Sequence, residues 1–462
     1  MPHNALVEAT FGVRNDYVPG PITPAMSLTF RHAYGDRVTT PTLLGAVVVP
    51  RPVVTAGLGI TRQVPDLSLI QGLTRSTGLP SGERRIQCES SATPLPDWGA
   101  VLSDPAAIPD ACADGSAGSV FASGVPNVQV IDPRYQSPLR ATGSLGWRRP
   151  VLTGRFATSI TGTYAGARYL QDPVDLNFDP TPRFTLPGEA GRPVFAHVDG
   201  IDPTTGVIAA DDARVSGAFG SVLSTRSTLR SDAVLLSAAI YPTVSNGPVR
   251  WSASYAWQAG RRLSDGFVGS TAGDPFQREW VRIPAATHQL RFTPRYLWLG
   301  AADLSLSLAL SSGVPFTPRI DRDVNGDGLA NDRPFVFNPA TAGDSVLAQG
   351  MSSLLSRGAR PARECLRRQL GQIAGAASCE TGWSLQATAL NATLVPWRFP
   401  MLRRSHVLLS LANPIGALDL IVHGGHEAGW GQPSLPETVL LQVAGFDSAA
   451  HRFRYEVNPD FG

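Results

Sequence analysis

Along most of the chain, apolar and polar residues alternate with a period of two. In "RWSASYAWQAG" (250–260), Trp251, Ala253, Tyr255 and Trp257 share one face, and Ser252, Ser254 and Gln258 share the other. In "GRFATSITGTYAG" (154–166), Phe156, Ile160 and Tyr164 oppose Arg155, Ser159, Thr161 and Thr163. "HQLRFTPRYLW" sets Leu290, Phe292, Tyr296 and Trp298 against Gln289, Arg291, Thr293 and Arg295. "DLSLSLALSSG" alternates Leu304, Leu306 and Leu308 with Ser305 and Ser307. Such a pattern predicts strands whose two faces meet different surroundings. Helical periodicity is confined to one clear stretch, 345–375, which predicts a helix inside a loop region.

A soluble β-sandwich alternates with its apolar face inward. A transmembrane barrel alternates with its apolar face toward lipid. Three features favour the barrel. The alternating segments are long enough to cross a bilayer as tilted strands. Aromatics gather near strand ends, as with Trp251, Trp257, Tyr296 and Trp298, where an interfacial girdle would sit. Short turns such as 243–249 alternate with long polar stretches such as 63–125 and 312–380. The expectation is an all-β, antiparallel transmembrane β-barrel with long external loops. It is partial, with roughly 12–16 strands, and spans 1–462 without an internal domain boundary.

Composition narrows the function classes. The net charge is +2 and charged residues make up 16% of the chain, so there is no electrostatic case for nucleic acid. No apolar run is long enough for a transmembrane helix. "MPHNALVEATFGVRNDY" has no basic segment followed by an apolar one, so no signal peptide is expected. The protein is then either cytosolic or missing its beginning. The four cysteines favour the second option. Cys88 and Cys112 form one local pair, and Cys365 and Cys379 another, each within a polar stretch. Two short-range disulfides on exposed loops fit an exported protein; four reduced thiols are the alternative.

Several motifs together resemble the C-terminal barrel of Oar-like TonB-dependent outer-membrane receptors. They include "SGVPFTP" (312–318), "DVNGDGLANDRPFVFNP" (323–339), "LDLIVHGGHEAGWGQ" (418–432) and "VAGFDSAAHRFRYEVNPDFG" (443–462). "GEAGRPVF" (188–195), "IDPTTG" (201–206), "GFVGSTAGDP" (266–275) and "PLPDW" (94–98) extend the set. The resemblance implies a large barrel in the cell outer membrane, plugged by an N-terminal domain and driven by the TonB system. It implies uptake, or export, of a substrate that the sequence does not identify. Plug, Ton box and N-terminal regulatory domain have no counterpart here, so the chain is expected to be a fragment that reaches TonB only through a missing plug. A non-transporting adhesion or structural barrel is the alternative, and a soluble secreted β-protein a third.

The terminal segment, with Phe453, Tyr455, Val457 and Phe461 on one face, resembles the last-strand signal read by the barrel assembly machinery; an ordinary edge strand is the alternative. In "DRDVNGDGLANDRPFVFNPA", Asp323, Asn325 and Asp327 occupy positions 1, 3 and 5 of a calcium loop, with Gly328 at the turn and Asn331 and Asp332 following. Pro334 stands where the bidentate Glu should be, so this is no EF-hand. Weak Ca²⁺ binding competes with a run of Asx turns. His423, His426 and Glu427 in "HGGHEAGWG" do not match a zinc-protease spacing. No catalytic motif is present, so neither an enzyme nor a cofactor beyond Ca²⁺ is expected.

Overall fold

The computed structural model describes residues 5–14, 23–33, 38–42, 45–49, 52–63, 67–77, 93–104, 107, 109, 112–113, 126–152, 154–209, 212–243, 248–298, 302–394, 407–423, 431 and 436–462. Its main feature is an antiparallel meander of the up-and-down barrel kind. Eleven strands follow one another in sequence order: β1 (Ala5–Arg14), β2 (Thr23–Ala33), β3 (Val53–Arg62), β4 (Leu139–Val151), β5 (Phe156–Asp175), β6 (Val222–Pro242), β7 (Val249–Ser264), β8 (His288–Trp298), β9 (Ala302–Ser311), β10 (Ser384–Leu394) and β11 (Val407–Leu411). Two short strands, 128–131 and 279–282, join β6 and β7 and bring the sheet to thirteen. The count agrees with the expected range, and the alternating segments 250–260 and 288–298 lie in strands, as do 156–166 and 303–311 of the other two.

The register explains the alternation. One row across the sheet reads Trp147, Ile160, Ala238, Tyr255, Leu290, Leu310 and Leu385. The next row reads Arg148, Ser159, Ala239, Ser254, Arg291, Ala309 and Gln386. One step along the strands exchanges an apolar face for a polar one, because successive side chains point to opposite faces.

The connections are strongly asymmetric. At one end the strands join by 152–155 and 243–248. At the other end they join through 63–138, 176–221, 265–287 and 312–383. In a meander, alternate connections leave from the same end, so these four segments lie together, as does everything after β11, while the connection 34–52, which carries strands 38–42 and 45–49, belongs to the other end. The four segments and the chain after β11 fold into a cap. Helices α1 (Leu67–Arg75), α2 (Trp98–Ser103), α3 (Ser345–Arg357) and α4 (Arg360–Arg367) all belong to these long connections. Both α3 and α4 fall in the stretch expected to be helical. A further helix, α5 (Pro414–His423), follows β11.

The cap carries the main hydrophobic core. Leu186, Val194, Ile320, Val324, Val336, Met351, Leu366, Leu440 and Leu441 are essentially inaccessible. This core extends to Phe316, Phe446, Phe453, Tyr455 and Phe461. The residues expected to form an assembly signal lie in the cap. Strand 452–457 pairs with 439–447, which pairs in parallel with 319–320, in a sheet separate from the meander. Phe453, Tyr455 and Phe461 are buried in protein, and Val457 packs against the same core. Their alternation is that of a half-buried soluble sheet, and the segment leaves β11 from the long-loop end. Residues 417–422 belong to α5.

Candidate functional site

The loop 321–340 sits at the centre of the cap. Asp323 accepts backbone N–H groups from Asn325 at 3.1 Å, Gly326 at 2.6 Å and Gly328 at 2.7 Å. Asn325 Oδ1 accepts the N–H of Asp327 at 3.0 Å, and Asp327 Oδ1 that of Leu329 at 2.8 Å. The spacing of two from Asp323 to Asn325, from Asn325 to Asp327 and from Asp327 to Leu329 is the Asx-turn pattern. The loop also needs Gly326: its φ is +82°, and a Cβ there would lie 3.0 Å from the Ala196 nitrogen. Asn325 further donates to the Gly273 carbonyl at 2.8 Å and to Asp327 at 3.1 Å, while its own carbonyl accepts from Phe195 N–H at 2.7 Å.

Asn331 donates to the carbonyls of Gly266 and Gly269 at 2.5 and 2.7 Å, tying the loop to the β7–β8 connection. Thus the five residues expected at a calcium loop are brought together as structural acceptors and donors. Among the described residues, no group of three His, Cys, Asp or Glu side chains is arranged to hold a metal ion.

Asp332 enters a buried ionic network that the sequence does not announce. Its Oδ2 accepts the Val324 N–H at 2.9 Å, and its Oδ1 meets Arg192 Nη1 at 3.2 Å. Arg192 is fully buried and also bonds Glu189 at 3.0 Å and the Arg333 carbonyl at 2.5 Å. The Tyr455 hydroxyl donates to Glu189 at 2.7 Å. Three stretches far apart in sequence, at 189–192, 332–333 and 455, therefore meet in one network, with Tyr455 reaching Arg192 through Glu189.

Burial dominates the charge states. It pushes Asp332 up to about 7, against the opposing pull of Arg192. It also raises Asp327 well above the ordinary carboxylate range, helped by the nearby charges of Asp323 and Asp332. Desolvation raises Asp323 as well, with the bonds from Gly326 and Gly328 opposing. Desolvation, followed by the neighbouring Glu189 charge, raises Tyr455.

A second buried cluster lies where the cap meets the strands. Asp172 accepts from Arg278 at 2.8 Å and from the Thr228 hydroxyl, with Arg226 at 3.3 Å. Asp265 lies 3.7 Å from Arg278. Burial first, and then the Asp172 charge, push Asp265 up to about 6.

The remaining expected residues fall as follows. Cys365 and Cys379 are disulfide-bonded, with Cα atoms 5.3 Å apart, linking α4 to strand 379–380. Cys112 is also disulfide-bonded, and Cys88 lies outside the described residues. Asp97 caps α2 by accepting from Gly99 at 2.9 Å and Ala100 at 3.2 Å, and Trp98 is exposed. His423 in α5 contacts Asp419 at 2.9 Å, while His426 and Glu427 lie outside the described residues. Sequence reasoning missed Arg192 and the role of Glu189. A Glu and an Arg three apart in an otherwise apolar "GEAGRPVF" was the available signal.

The meander face has the opposite character. Leu58, Leu145, Ile160, Tyr164, Tyr255 and Leu290 are all exposed. On β7 the apolar row opens with Val249 and then Trp251, the aromatic that marks this limit and packs between Phe156 at 5.8 Å and Phe292 at 6.2 Å. It ends at Arg261, whose Nε meets Asp232 at 2.7 Å and whose guanidinium lies 4.5 Å from the Trp280 ring centre. At roughly 3.4 Å per residue and a tilt of about 40°, the stretch between these two limits is about 25 Å tall.

No protein-family model matches the chain, and no curated protein matches it. Solved structures that resemble it in part include two transporters. The outer membrane transporter YddB from Escherichia coli is 7% identical, with a TM-score of 0.40, over 86% of this chain and 42% of that one. The copper transporter OprC is 9% identical, with a TM-score of 0.27, over 81% of this chain and 37% of that one. The chain thus spans less than half the length of either transporter.

Proposed function

We propose that this chain forms part of the wall and the external cap of an outer-membrane transporter barrel of the TonB-dependent, Oar-like kind. One observation carries the reading: a band of large apolar side chains stands exposed on one face of a long meander, about as tall as the outward apolar band of outer-membrane barrels. In water, an apolar patch of this extent is a liability. In a bilayer it is the required surface, and the polar row with Arg148, Arg291 and Gln386 then lines the lumen. Leu418, Ile421 and Val422 on α5, which follows β11 in the chain, are also exposed.

In this reading the cell outer membrane is the site of action and the cap meets substrate first. The TonB system drives passage through a plug supplied outside the described residues. The barrel assembly machinery inserts the strands, through a signal other than the buried 452–461 segment. The Asx-turn loop serves as the cap's scaffold, and weak Ca²⁺ binding there would act on cap stability rather than on transport.

Membrane insertion tests the proposal. The protein, refolded with lipid vesicles, is expected to resist carbonate extraction and to migrate faster on gels unheated than heated. Quantitative release by carbonate, with no heat-dependent shift, would replace it with the soluble β-protein.

A further inference from the structure

The apolar face of the meander ends, on the cap side, in a row of arginines. Arg168 on β5 and Arg230 on β6 stand directly opposite each other across the two strands. Arg261 on β7 stands opposite Arg282 of the short strand 279–282. Arg168 shares its face with Tyr164, Arg230 with Leu236 and Arg261 with Trp257, since an even spacing along a strand keeps side chains on one side. All four arginines are exposed. Like charges directly opposite each other destabilise a sheet. Asp232 offsets Arg261 at 2.7 Å, and Glu380 offsets Arg282 at 2.5 Å. Arg230 lies 5.3 Å from the Trp280 ring centre. Among the described residues, no carboxylate is ion-paired with Arg168 or Arg230.

A groove of about 340 Å³ opens on the same face, next to this row. Tyr255, His288, Leu290, Leu310 and Trp383 line it. The His288 ring stacks with Tyr255 at 6.1 Å and with Trp383 at 6.2 Å, and its Nδ1 is 2.7 Å from the Tyr255 hydroxyl. Arg282 joins the row to the groove. Its Nη2 is 3.5 Å from the hydroxyl of Thr287, the residue before His288, and its partner Glu380 lies in the segment that leads to Trp383. A cationic row thus borders an apolar groove at the cap-side limit of the apolar band.

We infer that this surface binds a phosphate-bearing lipid of the outer leaflet, with phosphate on the arginine row and an acyl chain in the groove. Guanidinium groups grip phosphate through paired N–H donors and keep their charge at any physiological pH. Asp232 and Glu380 already engage Arg261 and Arg282, so Arg168 and Arg230 are the main phosphate contacts. An anion between these two relieves their mutual repulsion. Cations at a membrane surface attract anionic lipid in the same way. The Arg168–Arg230 pair lies two to three strand spacings from the groove, roughly 12 Å across the sheet, so a lipid that fills both carries more than one acyl chain. A free phosphate would use the row and leave the groove idle. Such binding presupposes that the apolar face meets lipid, as the transporter reading holds.

The test is native mass spectrometry of the full chain in detergent with equal amounts of phosphatidylcholine and diphosphoryl lipid A. Preferential retention of lipid A, by about tenfold or more, is expected. The double variant Arg168→Gln, Arg230→Gln should lower that retention about tenfold, and Trp383→Ala, which removes a groove wall, by a smaller factor. Because the double variant removes an opposed like-charge pair, its unfolding temperature without lipid should equal or exceed the parent's. Added lipid A should raise the parent's unfolding temperature and leave the variant's unchanged. Equal retention of the two lipids overturns the assignment, as does undiminished retention by the double variant. Displacement of lipid A by excess inorganic phosphate would overturn it in favour of a free-anion site. Release of the chain from vesicles by carbonate would overturn this binding together with the transporter reading. A chain that stays inserted and holds both lipids equally overturns the binding alone.

Discussion

Two sheets in this molecule carry the same alternation and meet opposite surroundings. In the meander, Leu145 is 62% exposed, and its apolar neighbours form a face that no protein core covers. In the cap sheet, Tyr455 is 3% exposed and belongs to a continuous core with α3 and α4. Members of that core come from the long connections and the segment after β11, and none comes from the eleven meander strands. Period-two patterning thus identifies a strand with two unlike faces, but not the medium that the apolar face meets. The partners decide that. Helices, a disulfide and buried ion pairs accompany the cap sheet, whereas Leu145, Ile160 and Tyr164 on the apolar face of the meander stay exposed.

The comparison breaks most sharply at Arg192. Arg192→Ala would leave Glu189 and Asp332 buried without their shared cation, a loss of about 3–5 kcal/mol. Calorimetry of the full chain in detergent is expected to show the cap transition moving to much lower temperature, with the sheet's β-signal retained. Asp332→Asn sharpens the same point through pH. Its carboxyl is raised in the folded state from 3.8 to about 7, so Asp332 favours folding fully below the lower value, and that contribution is lost as pH rises through about 7. Relative to the parent, the Asn variant should therefore gain stability as pH rises across this window. Parallel pH profiles would remove Asp332 from the account.

Next in size is the Cys365–Cys379 bond, which closes a segment with a sequence separation of 14. In the chain-entropy model such a loop contributes about 3 kcal/mol. The double Cys→Ser variant is expected to lower cap stability by that order, without changing membrane insertion. Close behind stands Leu145→Arg on the meander. In water an exposed Leu→Arg change would be nearly neutral, while at mid-bilayer on a barrel's lipid face it costs about 2–4 kcal/mol. Reduced folding into vesicles with unchanged behaviour in urea-free aqueous buffer is the signature expected. Equal folding yields in both media would mean that the apolar face of the meander is not a lipid face.

Much of the meander was legible because its signal is local. Trp251 through Trp257 and Leu290 through Tyr296 declare their strands and faces from neighbouring residues alone. The helical stretch around Leu347 and Leu354, and the pairing of Cys365 with Cys379, were legible for the same reason. The cap's assembly was not, because it depends on contacts between segments far apart in sequence. Arg192 meets Glu189 locally, but Asp332 only through the fold, and Glu189 in turn meets Tyr455. The same limit holds at the terminal strand: Phe453, Tyr455 and Phe461 look identical in sequence whether lipid or protein receives them. In the acidic loop, position-by-position spacing suggested a cation, while the folded loop directs Asp323, Asn325 and Asp327 onto their own backbone.

The smallest expected effect tests how far the cap behaves as an ordinary soluble fold. Asp344 caps α3 by accepting the N–H groups of Val346 at 2.8 Å and Leu347 at 3.3 Å. These amides have no intrahelical partner, so a capping carboxylate satisfies them and its negative charge suits the helix N-terminus. Asp344→Ala should cost about 1 kcal/mol, and Asp344→Ser should recover most of it, since a hydroxyl can accept the same bonds. Both changes should act on the cap transition in calorimetry and leave vesicle insertion alone. Because α3 covers strand 452–457 at Val457, a larger loss in the Ala variant would mean that fraying of the first turn spreads into the core around Leu347 and Met351. The cap would then unfold as one cooperative unit, while the meander, held by the bilayer and its own ladder, would stay behind.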